Sequence, residues 1–374
     1  MKVIMFSTDQ SAFNEGSSFR ARIIDYAGLF DELYVVVATS FEYGSIDLSE
    51  RAHIISSHSK IKIFAYFGFY RIASNILKKD SDAFVVTSQE EFSGLVCALL
   101  KTRYRVPWQA QVHSDIFSPY FKKFSFKNVI RVFIASIILS YATRIRVVSK
   151  RIKLSIEQRG IRNPVDVLPI FIDVEALRKI ADTRTFGESG FDFVFLILSR
   201  LMPEKNVTLA IEIFSEVIKK YPQTTLRIVG DGPLRAQLEL RAASYKLGAH
   251  VQFEGWQKNI SGYLKTADCF LSTSWYEGYG MSIVEAMAAK LPIIMTDVGV
   301  AGDLVVDNES GLVVPPGNGE ALLEAMIRIR SKSNEELRER LGTVAYGRTQ
   351  GILSRQEYLE KFQNNVMQCH QNKS

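Results

Sequence analysis

Cysteine is scarce in this chain: 374 residues contain 3, at Cys97, Cys269 and Cys369. None pairs with another at a metal-ligand spacing, which excludes a disulfide-stapled secreted domain and fits an enzyme of a reducing, cytoplasmic compartment. The opening Met1-Lys-Val-Ile-Met-Phe-Ser7 runs straight into a strand-like pattern, without a charged-then-apolar leader or a small-residue cleavage site, so export is not expected. Long hydrophobic runs are missing too. The most apolar stretch, Val132 to Ala142, falls well short of the ~20 residues a spanning helix needs. There is no repeat of solenoid period, no low-complexity tract and no heptad seam. Helix-turn-helix, RNA-recognition and zinc patterns are absent, so nucleic acid is not an expected partner.

What remains is a globular composition, 47% hydrophobic, in a chain long enough for two domains of ordinary size. Apolar strand-like runs at Val3–Ser7, Tyr34–Thr39, Ala83–Thr87, Trp108–Val112 and Arg144–Val148 alternate with helical stretches. A polar, helix-weak passage ending in Arg184-Thr-Phe-Gly-Glu-Ser-Gly190 interrupts the alternation, and a fresh strand at Phe191–Ser199 restarts it. Further strands are expected at Thr225–Val229, Val251–Glu254, Cys269–Thr273 and Pro292–Thr296, with helices after Lys205, Pro233, Met281 and Glu320. This pattern predicts an α/β protein of two doubly wound, Rossmann-like domains, residues 1–172 and 173–374, facing each other across a cleft. A last amphipathic helix is expected at about residues 355–371.

Charge is uneven between the halves. Residues 1–172 hold 23 Lys and Arg against 15 Asp and Glu, whereas residues 173–374 hold 23 against 25. The basic first half suggests an anionic partner: a phosphate-bearing substrate or an anionic membrane face. In Tyr120-Phe-Lys-Lys-Phe-Ser-Phe-Lys-Asn-Val-Ile-Arg131 cations and aromatics interleave ahead of the apolar run. That segment has two readings, a core helix with a basic entry loop or a surface that rests on a membrane.

Four turns that follow strands stand out, and one of them reads as architectural. Ser199-Arg-Leu-Met-Pro-Glu-Lys-Asn206 follows the first strand of the second half and supplies Arg200 and Lys205, a guanidinium fork and a point charge for a diphosphate. Val229-Gly-Asp-Gly-Pro-Leu234 is a tight turn lacking the third glycine of a dinucleotide fingerprint, and its role reads as architectural. Glu277-Gly-Tyr-Gly-Met-Ser-Ile-Val-Glu285 sets one carboxylate at a loop tip and another a turn inside a helix, with glycines that let a ligand approach the backbone. In the first half, Trp108-Gln-Ala-Gln-Val-His-Ser-Asp115 ends a strand with His113 at its carboxyl end.

The string from Glu277 through Gly299 resembles the signature of the retaining family-4 glycosyltransferases of the GT-B fold, the glycosyl transferases group 1. The resemblance implies transfer of a sugar from a UDP- or GDP-sugar to a glycan or lipid-linked acceptor, with no metal and no other cofactor. It makes Arg200 and Lys205 the ligands of the donor diphosphate, Glu277 the contact to donor-sugar hydroxyls and Glu285 the contact to the ribose. Gly278, Tyr279, Gly280 and Met281 join them around the donor, and Gly255, in Phe253-Glu-Gly-Trp-Gln-Lys258, falls where the base is read through backbone atoms. His113 is expected near the reacting centre, so that His113, Arg200, Lys205 and Glu277 form the catalytic set, with Arg20 and Asp115 on the acceptor side. Relatives carry a double glycine after the first strand; here Gly16 is followed by Ser17 and Ser18, and Gly16 alone is left to serve the phosphate. The final helix, by the same resemblance, packs back on the first domain, and the enzyme is placed in the cytoplasm, at the inner face of the membrane if the acceptor is lipid-linked. A catalytically silent sugar-nucleotide-binding protein and a GT-B sugar-nucleotide epimerase are the alternative readings.

Overall fold

A computed structural model of the chain describes residues 1–41, 43–181 and 190–372. The interrupting passage from Arg184 therefore lies, apart from Gly190, outside the described residues. The chain divides into two units, one of Met1–Pro169 with Arg355–Ser374 and one of Ile170–Ser354. The division thus falls after Pro169 rather than after Ile172, and the terminal segment is counted with the first unit.

In the first unit the elements run β1 (Lys2–Ser7), α1 (Ser18–Ala27), β2 (Glu32–Thr39), β3 (Ser45–Ser49), β4 (Ala52–His58), α2 (Lys62–Leu77), β5 (Phe84–Ser88), α3 (Glu91–Tyr104), β6 (Trp108–Val112), α4 (Phe126–Ile138), β7 (Arg144–Val147), α5 (Lys150–Glu157) and β8 (Val165–Val167). The second continues with α6 (Val174–Ala181), β9 (Phe193–Leu198), α7 (Val207–Lys220), β10 (Thr224–Val229), α8 (Arg235–Ser244), β11 (Val251–Gly255), α9 (Ser261–Thr266), β12 (Cys269–Ser272), α10 (Met281–Ala288), β13 (Ile293–Thr296), β14 (Leu312–Val314), α11 (Gly319–Arg330) and α12 (Glu335–Arg348). The chain then returns to the first unit as α13 (Arg355–Gln371).

The first sheet has the order β3-β4-β2-β1-β5-β6-β7-β8 and the second β11-β10-β9-β12-β13-β14. Every pairing is parallel except β3 with β4. Parallel strands covered on both faces read as continuous apolar runs, and the β1, β5 and β9 sequences are buried nearly throughout. The strands that sequence patterning missed are the polar edge hairpin β3–β4 and the three-residue β8 and β14.

In the second unit the core gathers Phe193, Phe195, Ile197, Phe214, Leu226 and Leu271 between the sheet and its helices. In the first, Trp108 is fully buried and its indole donates to Ser88 Oγ at 3.0 Å. The returning α13 is fastened to that unit by polar contacts as well as by packing. Tyr26 stacks on Phe362 with ring centroids 4.3 Å apart, Asn365 Oδ1 accepts from Gln109 at 2.7 Å, and Tyr358 accepts from the buried Arg146 guanidinium at 3.0 Å.

Candidate active site

In an open α/β sheet the ligand crevice lies at the carboxyl ends of the strands where the strand order reverses. In the second unit that point is between β9 and β12, which pair through Cys269 with Phe195 and Phe270 with Leu196. The loops leaving these two neighbouring strands are Ser199 to Asn206 and Thr273 to Gly280, the two turns singled out in the sequence.

The first loop is clamped from below. Ser199 N donates to Val229 O at 3.1 Å and Leu201 N to Asp231 O at 2.9 Å. Gly230 sits at φ +136, and a Cβ there would stand 1.9 Å from Ser199 O, while one on Gly232 would meet Leu201 O at 2.5 Å. Both glycines are needed because two backbones pass at touching distance. Gly255, at φ +69, closes the same corner: its carbonyl accepts from Gly230 N at 2.7 Å.

The two loops are also bonded to each other. Trp275 N donates to Glu204 O at 2.8 Å, and Thr273 Oγ1 lies 3.1 Å from Lys205 O and 2.9 Å from Asn206 O. Asn206 turns the chain at φ +50, and α7 begins directly after it. The result is that Lys205 Nζ lies 2.5 Å from Glu277 Oε1, although 72 positions separate the two residues. Ser274 Oγ donates to the same oxygen at 2.8 Å. Both charged side chains are largely buried, at 16% and 14% exposure.

Arg200 is placed differently. Its side chain is 74% exposed and stands 3.6 Å from Glu204, one turn on, so it does not join the Lys205–Glu277 contact. Past the loop tip, Gly280 at φ +96 is the N-cap of α10, and Met281 is partly exposed at its first position. Gly278 and Tyr279 are buried, and burial, with Asp303 adding to it, pushes the Tyr279 phenol up to about 12. Glu285 projects from α10 with its pKa raised by burial alone. No side chain among the described residues donates to it.

In the first unit His113 follows β6 beside a small cavity of about 30 Å³ whose lining includes Glu90, Gln111 and Arg131, room for about one water. Burial, followed by the neighbouring Arg146 and Arg22 charges, lowers its pKa to about 3, so the ring is neutral at pH 7. Its Nε2 is buried and has no hydrogen-bond partner among the described residues, which marks it as a group with unspent capacity. Asp115 is buried and turned to other work: Ser155 donates to its carboxylate at 3.2 Å, and burial raises its pKa. Gly16, at φ +73, precedes α1, where Ser17 Oγ accepts from Arg20 N at 3.1 Å as N-cap. Arg20 itself is half-buried on the first turn of that helix.

Comparison with known proteins bears on this arrangement. Residues 178–348, which span both loops, match the family described as Glycosyl transferases group 1. The match covers 171 of the 374 residues, all of them within the second unit. An uncharacterized glycosyltransferase of Methanocaldococcus jannaschii is 25% identical over 325 residues, 83% of each chain. The alpha-monoglucosyldiacylglycerol synthase of Acholeplasma laidlawii is 34% identical over 161 residues, which is 42% of this chain and 39% of that enzyme. Among solved structures, Anabaena HepE in complex with UDP superposes with a TM-score of 0.71 at 19% identity, covering 98% of this chain and 99% of that one. The fold is GT-B.

The sequence named Lys205, Glu277 and Glu285 but not the residues that hold them. Thr273 and Trp275 tie one loop to the other, Ser274 holds Glu277 from within its own loop, and Gly299, at φ +56, packs where a Cβ would meet Tyr279 O at 2.6 Å and Glu277 Cβ at 2.9 Å. A signal existed for each: Thr273, Ser274 and Trp275 stand in the polar run that ends β12, and Gly299 in Thr296-Asp-Val-Gly299 just past β13.

Proposed function

We propose that the chain is a family-4, retaining, metal-independent glycosyltransferase that moves a sugar from a UDP- or GDP-sugar to a glycan or lipid-linked acceptor. The observation that carries this reading is the Lys205–Glu277–Ser274 contact at the switch point of the second sheet. A lysine ammonium has three N–H donors, and Glu277 takes one, so the others are available to diphosphate oxygens. Glu277 receives both of its hydrogen bonds on Oε1, which leaves Oε2 for a hydroxyl of the donor sugar. The unpartnered carboxylate of Glu285 suits a ribose diol. Arg200, exposed beside Lys205 in sequence, swings onto the diphosphate when it is bound.

In the reaction the bond from the anomeric carbon to the diphosphate breaks, and Lys205 and Arg200 offset the charge that develops on the departing oxygen. That oxygen takes the proton of the acceptor hydroxyl, which attacks on the same face, so the anomeric configuration is kept without a protein nucleophile. Neutral His113, with its Nε2 unspent, suits a sugar hydroxyl. Two cations serve where other transferases use a divalent metal. The chain works at the cytoplasmic face of a membrane, its basic first unit toward an anionic surface that carries the acceptor; the matched part of the diacylglycerol glycosylating enzyme supports a lipid acceptor.

The test is a thermal-shift panel of UDP-, GDP-, ADP- and CMP-sugars with and without chelator. A ligand at 100 times its dissociation constant adds about 2.7 kcal/mol, so the expected result is one selective shift that chelator leaves unchanged. A shift abolished by chelator overturns metal independence, and proton NMR of the product anomer decides retention.

A further inference from the structure

The helices α2, α3 and α4 of the first unit pack side by side, α3 in the middle. Each presents large apolar side chains to solvent beside a few cations and small polar residues. Phe64 and Phe67 protrude from α2 at 59% and 69% exposure, Leu99 from α3 at 60%, and Phe126, Phe133 and Ile137 from α4 at 79%, 67% and 46%. Phe126, Phe133 and Ile137 fall seven and then four residues apart, a single stripe of a 3.6-residue helix whose opposite stripe, Val132, Ala135 and Ile138, is buried in the core. One helix therefore has two apolar stripes, and the core explains only one of them. A continuous apolar face of this kind is uncommon on a protein that meets only water.

Charge decides what meets it. The three helices contain one acidic residue, Glu91, and Arg131 holds it in an ion pair at 2.8 Å. Lys122, Lys123 and Lys127 are exposed at the entry to α4 beside Phe126. A second copy of the chain docked by two-fold symmetry would bring these lysines toward one another with no acid to offset them. An anionic lipid surface offers the complement of both features: headgroup phosphates for the lysines and an acyl boundary for the phenylalanines.

We propose that the α2–α3–α4 face, led by Phe126 and Phe133 with Lys122, Lys123 and Lys127 around them, docks on an anionic phospholipid bilayer, lying in its interface without crossing it. No helix among the described residues is long and apolar enough to cross. The inference rests on the membrane-side reading of the function above and specifies the surface that makes the contact.

The experiment is co-sedimentation of the full chain with vesicles of phosphatidylglycerol and phosphatidylcholine, or of phosphatidylcholine alone, at low salt. The chain is expected to partition into the anionic vesicles and to leave them as salt rises. Phe126→Glu with Phe133→Glu is expected to lower partitioning at least about tenfold, and each of Lys122→Ala and Lys123→Ala about fivefold. Leu240→Glu, an exposed apolar position of the second unit, is expected to change nothing. All these side chains are exposed, and an unchanged melting temperature checks that the variants fold. Binding to anionic vesicles that the α4 variants leave intact overturns the proposal. So does a wild-type chain that ignores vesicles and sediments as a dimer dissociated by Phe133→Glu. The sugar-nucleotide thermal shift is independent of lipid and is expected to persist in the variants: if the wild-type chain gives that shift but binds no vesicles, the face is wrong and the transferase reading stands.

Discussion

Lys205 and Glu277 are each other's nearest opposite charge, and truncating either leaves the other largely buried without its partner. Lys205→Ala is expected to lower kcat by about a hundred- to a thousandfold, the roughly 2.7–4 kcal/mol that one charge-stabilising donor supplies in a transition state. A steady-state assay with the matched donor checks this, with the melting temperature as control for folding; a near-wild-type rate removes Lys205 from the reaction. His113 carries a different prediction. Its folded pKa of about 3 lies below the ordinary 6.5, so between these values the unfolded chain holds a proton that the folded chain does not, and stability falls as pH falls. From pH 7 to pH 5 the wild type is expected to lose about 2 kcal/mol more than His113→Gln, read from urea midpoints at the two pH values. The buried carboxyls Glu90, Asp115 and Glu285, whose pKa values are raised, work in the opposite sense and cancel between the two proteins. Equal pH responses would show that the ring titrates in the folded protein. The residue types at these sites were readable from sequence because each sits in a turn whose glycines and polar residues have a local reason to be there. The Lys205–Glu277 contact was not, since it depends on two strands that lie side by side only once the sheet has formed.

At the scale of elements, the site of the second unit is a pair of loops held by a third. Gly230→Ala would drive a Cβ to within 1.9 Å of Ser199 O at a φ that L side chains seldom adopt. The expected cost is at least about 2 kcal/mol, with loss of donor affinity as the Arg200–Lys205 loop shifts. Gly16→Ala has a positive φ but open space around the new methyl, and about 1 kcal/mol is expected there. Urea unfolding of both variants measures the contrast, and equal losses would mean that the β10 turn does not clamp its neighbour. Strands β1 and β9 were legible because burial on both faces makes them nearly continuous apolar runs, and β6, Trp-Gln-Ala-Gln-Val, because its apolar residues alternate at the strand period. The hairpin β3–β4 was not: Ser45–Ser49 alternates exposed and half-buried positions, and Ala52–His58 is rich in serine and histidine, as an edge of a sheet tolerates.

For the molecule as a whole, α13 was legible as an amphipathic helix, while its partners were not, because Tyr26, Gln109 and Arg146 meet it from more than 200 residues away. Ending the chain after Ser354 would expose the sites of Tyr358, Phe362 and Val366, all buried now, and strip Arg146 of one acceptor. At about 1.5–3 kcal/mol for each large apolar side chain, the loss is comparable with the whole stability of an ordinary domain. Limited proteolysis is expected to digest the first unit of the truncated chain while fragments of residues 170–354 persist; equal resistance of both would place the stability of the first unit elsewhere. The same threading has a consequence for synthesis. A ribosome delivers Ile170–Ser354 as one uninterrupted piece that needs nothing made later, whereas the unit begun at Met1 must wait, with one flank of its sheet bare, until the last helix emerges. The unit that starts first is finished last, and in that interval its greasy helices depend on whatever in the cell shields unfinished chains.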